Sequence, residues 1–225
     1  MSDVNLGWIS NFIWGIADDV LRDLYVRGKY RDVILPMTVI RRLDSLLEST
    51  KQAVLERKAI LDQAKIEYYP ALCQPAGQPF FNTSPFTLRD LKARASQQTL
   101  RADFEAYLDG FSPNVQDILT NFEFRNQIPR LSKADALGTL IDKFLSSEIN
   151  LSPNPIRNPD GTIKQPGIDN HTMGTIFEEL VRRFNEENNE EAGEHWTPRD
   201  AVKLMARLVF EPIASQLRST TYLLY

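Results

Sequence analysis

Apolar residues recur at helical spacing in one segment after another of the first 150 residues, and this pattern limits the fold more than any other feature of the chain. A helix with one apolar stripe has to bury that stripe against another element. A succession of such helices joined by short turns is typical of a helical bundle, so the sequence predicts an all-α fold. The stripes lie at residues 9–24, 33–61, 100–108, 115–122 and 137–145.

Helix-start patterns lie between several of these stripes. A Ser, Thr or Asp at the N-cap accepts hydrogen bonds from free backbone N–H groups, an acidic residue three positions later can return the bond, and proline fits the first helical position. Three starts of this kind are predicted, at Thr87 with Asp90, at Ser112 with Pro113, and at Ser132 with Asp135.

The first two stripes predict two long helices. Gly28 is expected to end the first helix. The second is expected to begin near Arg31 and to continue through Leu61, with Pro36 either tolerated near its first turn or marking a small kink. The aromatic and aliphatic residues of the stripes, including Trp8 and Trp14, are expected to pack in the core.

Two proline-rich stretches interrupt the helical pattern. Residues 69–85 are predicted to form a loop with short extended pieces around Phe80 and Phe81. Residues 151–168 contain four prolines, and Asp160-Gly161 is suited to the tip of a small hairpin. We therefore place a linker at 151–168, between a helical N-terminal domain at 1–150 and a second domain that begins at 169.

The second domain is predicted to open with a helix whose apolar stripe runs from Met173 to Phe184, followed by an acidic and amide-rich surface loop at 185–193. A further helix is predicted to begin at Thr197-Pro198, with Asp200 completing a capping box. The free N–H groups of such a helix start favour a carboxylate or phosphate, and Trp196 stands directly before them. Ordinary capping explains the same residues without a ligand.

Two stretches resemble one protein family. The segment 169–210, with Met173-Gly-Thr-Ile-Phe-Glu-Glu-Leu180 and Gly193-Glu-His-Trp-Thr-Pro-Arg-Asp200, looks like the entrance to the catalytic domain of the modification (M) subunits of type I restriction-modification systems. Residues 12–18 and 30–44 resemble the helical N-terminal domain of the same subunits, in the same order along the chain.

The resemblance implies an S-adenosylmethionine-dependent DNA adenine-N6 methyltransferase. In that family the aromatic-Thr-Pro-Arg segment lies against the methionine end of the cofactor, so the implied cofactor-binding residues are Glu194, His195, Trp196, Thr197, Pro198 and Arg199. Thr197 is expected to bind the carboxylate and Trp196 to form an apolar wall, while the roles of Glu194 and His195 stay open. The implied partners are a specificity subunit, a restriction subunit, a second M subunit and double-stranded DNA.

Two motifs of the family's catalytic domain do not occur in this sequence. None of the ten glycines forms a Gly-x-Gly, and no Asn-Pro-Pro or Asp-Pro-Pro is present. We therefore expect the chain to be an N-terminal fragment in which a Rossmann-like domain is truncated, with no catalytic residues and no activity of its own. The alternative from another class of protein is a non-enzymatic helical adaptor that mediates protein–protein contacts.

Composition excludes several other functions. The net charge of −4 argues against a chain that wraps nucleic acid by charge alone, and the basic residues, Arg27, Arg41, Arg42 and Arg89 among them, are expected on helix surfaces. Two histidines far apart in the sequence and a lone Cys73 predict neither a metal site nor a disulfide. No signal peptide or membrane-spanning stretch is predicted, which favours a cytoplasmic protein.

Overall fold

The computed structural model describes residues 6–66, 70–94, 98–187 and 199–216. It divides the chain into two compact units, the first ending at Asn188 and the second beginning at Asn189. The first unit is an all-helical bundle with one small hairpin, and the second is described here by a single α-helix and a 3-10 turn. The predicted all-α fold class is confirmed.

The helices and strands have the following bounds. The α-helices are α1 Leu6–Leu21, α2 Arg31–Leu47, α3 Lys51–Ala64, α4 Cys73–Ala76, α5 Leu88–Ala93, α6 Leu100–Asp109, α7 Pro113–Asn121, α8 Ile128–Lys133, α9 Ala136–Phe144, α10 Asn170–Glu187 and α11 Arg199–Phe210. Short 3-10 turns lie at Arg27–Lys29, Glu48–Thr50, Phe124–Asn126 and Glu211–Gln216. The strands are β1 Ile156–Arg157 and β2 Ile163–Gln165.

The core of the first unit is built from the predicted apolar stripes. Helix α1 buries Ile9, Ile13 and Ile16, and its stripe packs against α9 and α10. The prediction for the tryptophans is wrong for Trp8, which is 43% exposed and lies beside Phe12 on the outer side of α1. Trp14 is half-buried and packs its ring on that of Phe184.

The second stripe does not form the single helix that its spacing predicts. Helix α2 ends at Leu47, a 3-10 turn follows, and α3 begins at Lys51. The Thr50 hydroxyl donates hydrogen bonds to the carbonyl oxygens of Leu47, at 3.3 Å, and of Ala76, at 3.2 Å. A threonine side chain that bonds to nearby backbone competes with regular helix formation, and this competition separates α2 from α3.

Two of the three predicted helix starts are confirmed. Asp90 N–H donates to the Thr87 hydroxyl over 3.3 Å, and the Asp90 carboxylate accepts from Thr87 N–H over 2.8 Å, which completes the capping box of α5. Ser112 is the extended N-cap of α7 and Pro113 is its first residue. The Ser112 hydroxyl does not cap the helix, because it donates to the Asn114 side chain over 2.7 Å.

The prediction of an N-cap at Ser132 is wrong. Ser132 lies inside α8, and its carbonyl accepts from Asp135 N–H at 3.1 Å. Asp135 instead precedes α9 with a left-handed backbone, at φ +54°. Ser132 and Asp135 therefore lie on either side of the tight turn between α8 and α9, and do not form a capping pair.

Both proline-rich stretches lie outside long helices, as predicted. Within the described part of 69–85, the four-residue helix α4 is an addition, and Asn82 forms an isolated antiparallel bridge with Phe111. The hairpin in 151–168 is confirmed: β1 pairs antiparallel with β2, and Gly161 adopts φ +84° at its tip. Within the described ranges, no helix combines the length and apolarity that crossing a membrane requires.

Gly110 lies where α6 approaches the segment 82–84 too closely for a side chain. A Cβ at this position would lie 2.4 Å from the Ser84 backbone nitrogen and 2.7 Å from the Asn82 side-chain oxygen. We predict that Gly110→Ala lowers the free energy of unfolding by about 2 kcal/mol, because overpacking displaces neighbouring backbone. Urea denaturation monitored by circular dichroism measures this change.

Gly15 provides the matched control, because a Cβ there meets no atom within 4 Å and the residue lies inside α1. Gly15→Ala is expected to raise the free energy of unfolding by roughly 0.5–1 kcal/mol through helix propensity. Equal effects of the two substitutions would contradict the role given to Gly110.

Candidate functional site

The segment predicted to bind the cofactor lies mostly outside the described residues. Glu194, His195, Trp196, Thr197 and Pro198 are not among them, and Arg199 is the first residue of α11. The predicted helix is present directly after Pro198. The geometry of a ligand site at this segment stays a prediction.

Helix α11 is strongly amphipathic, and its apolar residues are exposed. Val202, Met205 and Val209 recur at helical spacing and are 46%, 51% and 59% exposed, and Leu208 is 68% exposed. Helices with such a stripe normally bury it against other elements of a domain.

Helix α10 is fixed to the bundle along its length. Its start is capped by Asp169, whose carboxylate accepts from Thr172 N–H at 2.7 Å and whose carbonyl accepts from Met173 N–H at 2.9 Å. Hydrogen bonds from the backbone and the side chain of Thr172 lower the pKa of Asp169, with a smaller effect from Arg42. The apolar face of α10 is buried, and the helix contacts α1 and α2.

Arg41 and Arg42 are buried, so the prediction of a surface position is wrong for both. They are 8% and 6% exposed. Arg42 donates to the Leu151 carbonyl at 2.7 Å and to the Asn170 side-chain oxygen at 2.9 Å. Arg41 donates to the Phe144 carbonyl at 3.3 Å, and its guanidinium lies 3.7 Å from the Asp44 carboxylate. The apolar stripe of α2 therefore carries charged residues that hold other elements.

Asp44 is the acceptor at the centre of a buried polar cluster. It is 5% exposed, and one of its oxygens accepts from the Tyr107 hydroxyl at 3.0 Å and from Leu88 N–H at 3.1 Å. Burial raises the pKa of Asp44, while the Leu88 bond and Arg41 oppose that effect. Burial and the nearby Asp44 charge raise the pKa of Tyr107. The cluster thereby joins α2 to α5 and α6.

Lys51 and Asn82 extend the cluster to α3 and to the loop before α5. The Lys51 ammonium donates to the Asn82 side-chain oxygen at 2.9 Å and to its carbonyl at 3.3 Å. The Asn82 amide donates in turn to the Tyr107 carbonyl at 3.0 Å. A small cleft lies beside these groups, lined also by Leu47 and Thr87. Burial lowers the pKa of Lys51 to about 8.

These bonds assign the cluster a structural role. Each polar side chain of the cluster forms at least one hydrogen bond with a helix or loop other than its own. The residues are Asp44, Lys51, Asn82 and Tyr107. The sequence carries a sign of this arrangement that our prediction did not use, namely three ionisable residues, Arg41, Arg42 and Asp44, inside the apolar stripe of α2. Among the described residues, no group of three or more His, Cys, Asp or Glu side chains could hold a metal ion.

The other basic residues that we expected on helix surfaces do lie there, and most form ion pairs. Arg89 pairs with Glu48 at 2.6 Å, and Arg27 lies 3.9 Å from Glu187. Ion pairs between exposed side chains contribute little to stability, but they neutralise the positive charge that nucleic acid would contact. Further pairs of this kind are Lys29 with Asp32, Lys92 with Asp142, Arg94 with Asp103 and Arg101 with Glu105.

The lowered pKa of Lys51 predicts a pH dependence of stability. The folded chain loses this proton near pH 8, whereas an unfolded lysine keeps it to about pH 10.4. Between these values the unfolded state binds more protons, so the contribution of Lys51 to stability becomes more favourable as the pH rises. The cost of burying the charge is present in full below pH 8.

The measurement is urea denaturation of the unsubstituted protein and of Lys51→Met at pH 7 and pH 9.5. The free energy of unfolding of the unsubstituted protein is expected to rise relative to that of Lys51→Met at the higher pH. Lys51→Gln, which keeps a donor for Asn82 without the charge, is expected to follow Lys51→Met. A constant difference across the two pH values would show that the Lys51 pKa is not lowered.

Two family models match the chain, one after the other. The model described as the HsdM N-terminal domain matches residues 9–144, which is more than half of the chain. The model described as N-6 DNA Methylase matches residues 168–220, from the cap of α10 to beyond the last 3-10 turn. No curated protein and no solved structure matches the chain. The chain thus belongs to the family of modification (M) subunits of type I restriction-modification systems, with an N-6 DNA methylase region following its helical N-terminal domain.

Proposed function

We propose that residues 1–225 are the N-terminal part of a DNA adenine-N6 methyltransferase subunit, in which they supply an interaction module and one wall of the cofactor site. The observation that carries the proposal is the succession of the two family models, over 9–144 and 168–220. The methylase match also argues against the alternative of a non-enzymatic adaptor.

The chemistry itself requires residues that this sequence lacks. In the family, a glycine-rich loop holds the cofactor and an Asn/Asp-Pro-Pro-aromatic motif holds the target base, and neither motif is present here. A base in a duplex has to leave the stack before its amino group can be methylated, which needs a closed pocket around it. We infer that this chain alone does not catalyse methyl transfer.

The proposed cofactor segment is Glu194–Arg199, at the start of α11. S-Adenosylmethionine would supply the methyl group, and its methionine carboxylate matches the free N–H groups that a helix start offers. Thr197 would add its hydroxyl, and Trp196 an apolar surface. The start of α11 at Arg199 supports this assignment, because it places the free end of a twelve-residue helix directly after Thr197 and Pro198.

We propose that the catalytic domain begins at about residue 169, after a linker at 151–168. The methylase model begins at residue 168, in support of this boundary. The exposed apolar stripe of α11 fits a helix that packs against further parts of the same domain.

The proposed partners are those of a type I complex: a specificity subunit, a restriction subunit, a second M subunit and double-stranded DNA. Ion pairs occupy many of the basic side chains on the described surface, Arg27, Arg89 and Lys92 among them. We therefore propose that other parts of the complex supply most of the DNA affinity. A cytoplasmic location, where the DNA of the host lies, fits this role.

The first test is activity. Purified residues 1–225 are expected to transfer no methyl group from tritiated S-adenosylmethionine to unmethylated duplex DNA, because the glycine-rich loop and the base pocket are absent. Calorimetry is expected to find no binding of S-adenosylmethionine in the micromolar range for the same reason. Incorporation of tritium above that of a sample without protein would overturn the proposal of an inactive fragment.

The second test addresses the cofactor segment in a subunit that contains all the catalytic motifs, assembled with its specificity subunit. Thr197→Val is expected to weaken S-adenosylmethionine binding about tenfold, the loss of one hydrogen bond to a charged group. Thr120→Val, in α7 of the bundle, is the control and should leave the dissociation constant unchanged. Unchanged binding in the Thr197 variant would remove this residue from the site.

A further inference from the structure

We propose that Arg42 is a positioning residue that fixes helix α10, with which the methylase match begins, to the helical bundle. The inference rests on the proposed function for the role of the methylase region, but its physical basis is independent of that role. Arg42 belongs to α2, within the HsdM N-terminal match, and it binds Asn170, within the N-6 DNA Methylase match.

The guanidinium of Arg42 binds the chain on both sides of the hairpin, at Leu151 before it and at Asn170 after it. One terminal nitrogen donates to the carbonyl of Leu151, where the chain leaves the bundle, at 2.7 Å. The other donates to the side chain of Asn170, the first residue of α10, at 2.9 Å. A planar guanidinium can reach two acceptors at a fixed angle, which the single ammonium of a lysine does less well.

Neighbouring groups form further hydrogen bonds with the chain on both sides of the hairpin. The Ser45 hydroxyl lies 2.7 Å from the Arg42 carbonyl and 3.3 Å from the Leu151 carbonyl. The Asn150 amide donates to the carbonyls of Asn154 and Pro166 at 2.8 and 2.9 Å. Ile168 N–H donates to the Ser152 carbonyl at 2.9 Å. The chain before the hairpin and the chain after it are thereby brought together, with the hairpin extending outward.

The burial of Arg42 makes this contact more than a surface hydrogen bond. The residue is 6% exposed, and a buried charge is costly unless polar partners compensate it. Leu151 and Asn170 accept from its two terminal nitrogens, while its buried Nε has no partner among the described residues, so displacing the start of α10 would remove an acceptor from a buried cation. The energetic penalty for that displacement keeps the start of α10 in one orientation on α2.

Hydrogen exchange measured by mass spectrometry on residues 1–225 tests the proposal, because it reports local opening separately from global unfolding. Arg42→Met is expected to speed amide exchange about tenfold or more in peptides covering 149–153 and 168–175, the loss of hydrogen bonds to a charged group. Peptides from α6 and α9 are expected to change less. Arg41→Met is the matched control, a buried arginine of the same helix that bonds to Phe144 instead.

Asn170 provides a second pair of variants that does not disturb the core, because this residue is exposed. Asn170→Ala is expected to speed amide exchange in peptides covering 168–175. Peptides covering 149–153 are expected to keep their protection, because the bond from Arg42 to the Leu151 carbonyl remains. Asn170→Asp keeps an acceptor for the guanidinium and is expected to retain the protection. This pair decides the question even where Arg42→Met fails to fold.

Exchange in 168–175 that is unchanged in folded Arg42→Met and in Asn170→Ala would overturn the proposal. A rise spread evenly over all peptides of Arg42→Met, with no local effect of Asn170→Ala, would overturn it as well. Neither cofactor binding nor methyl transfer enters the measurement. The positioning role and the proposed function can therefore fail independently.

Discussion

The bundle depends on charged groups that are buried in the middle of one helix. Helix α2 carries Arg41, Arg42 and Asp44 on a face that is otherwise apolar, and each of the three bonds to a different part of the chain. A buried polar group lowers stability unless its partners are in place, so these residues permit few arrangements of the elements around them. Apolar side chains alone would tolerate more sliding between helices.

The family match gives this constraint a functional meaning. The helical domain and the methylase region are matched by two separate family models. Helix α10, from the second match, nevertheless packs its buried face on α1 and α2, inside the unit that the bundle forms. The ring of Phe184, in α10, lies 4.8 Å from that of Trp14 in α1. The first helix of the methylase match thus packs within the first compact unit of the structure.

The sequence predicted those features that depend on local patterns. The capping box at Thr87, the hairpin at Asp160-Gly161 and the start of α11 follow from residues that are neighbours along the chain. The errors arose where distant residues decide the outcome. Arg41 and Arg42 are charged residues that we expected on a helix surface, and the partners that compensate their burial, Phe144, Leu151 and Asn170, lie more than a hundred positions away. The cofactor segment followed from resemblance, because Thr-Pro at a helix start is also explained by capping.

The close contact at Gly167, at the base of the hairpin, determines how the chain tolerates changes in the length of that hairpin. A Cβ at Gly167 would lie 2.0 Å from the Pro153 carbonyl oxygen, so the chain entering the hairpin and the chain leaving it touch at its base. Everything beyond that contact, from residue 156 to 165, is mainly exposed. Insertions at the tip of a loop that is closed at its base cost little entropy and leave the anchored ends in place. The hairpin can therefore change in length while the helices on either side of it keep their positions.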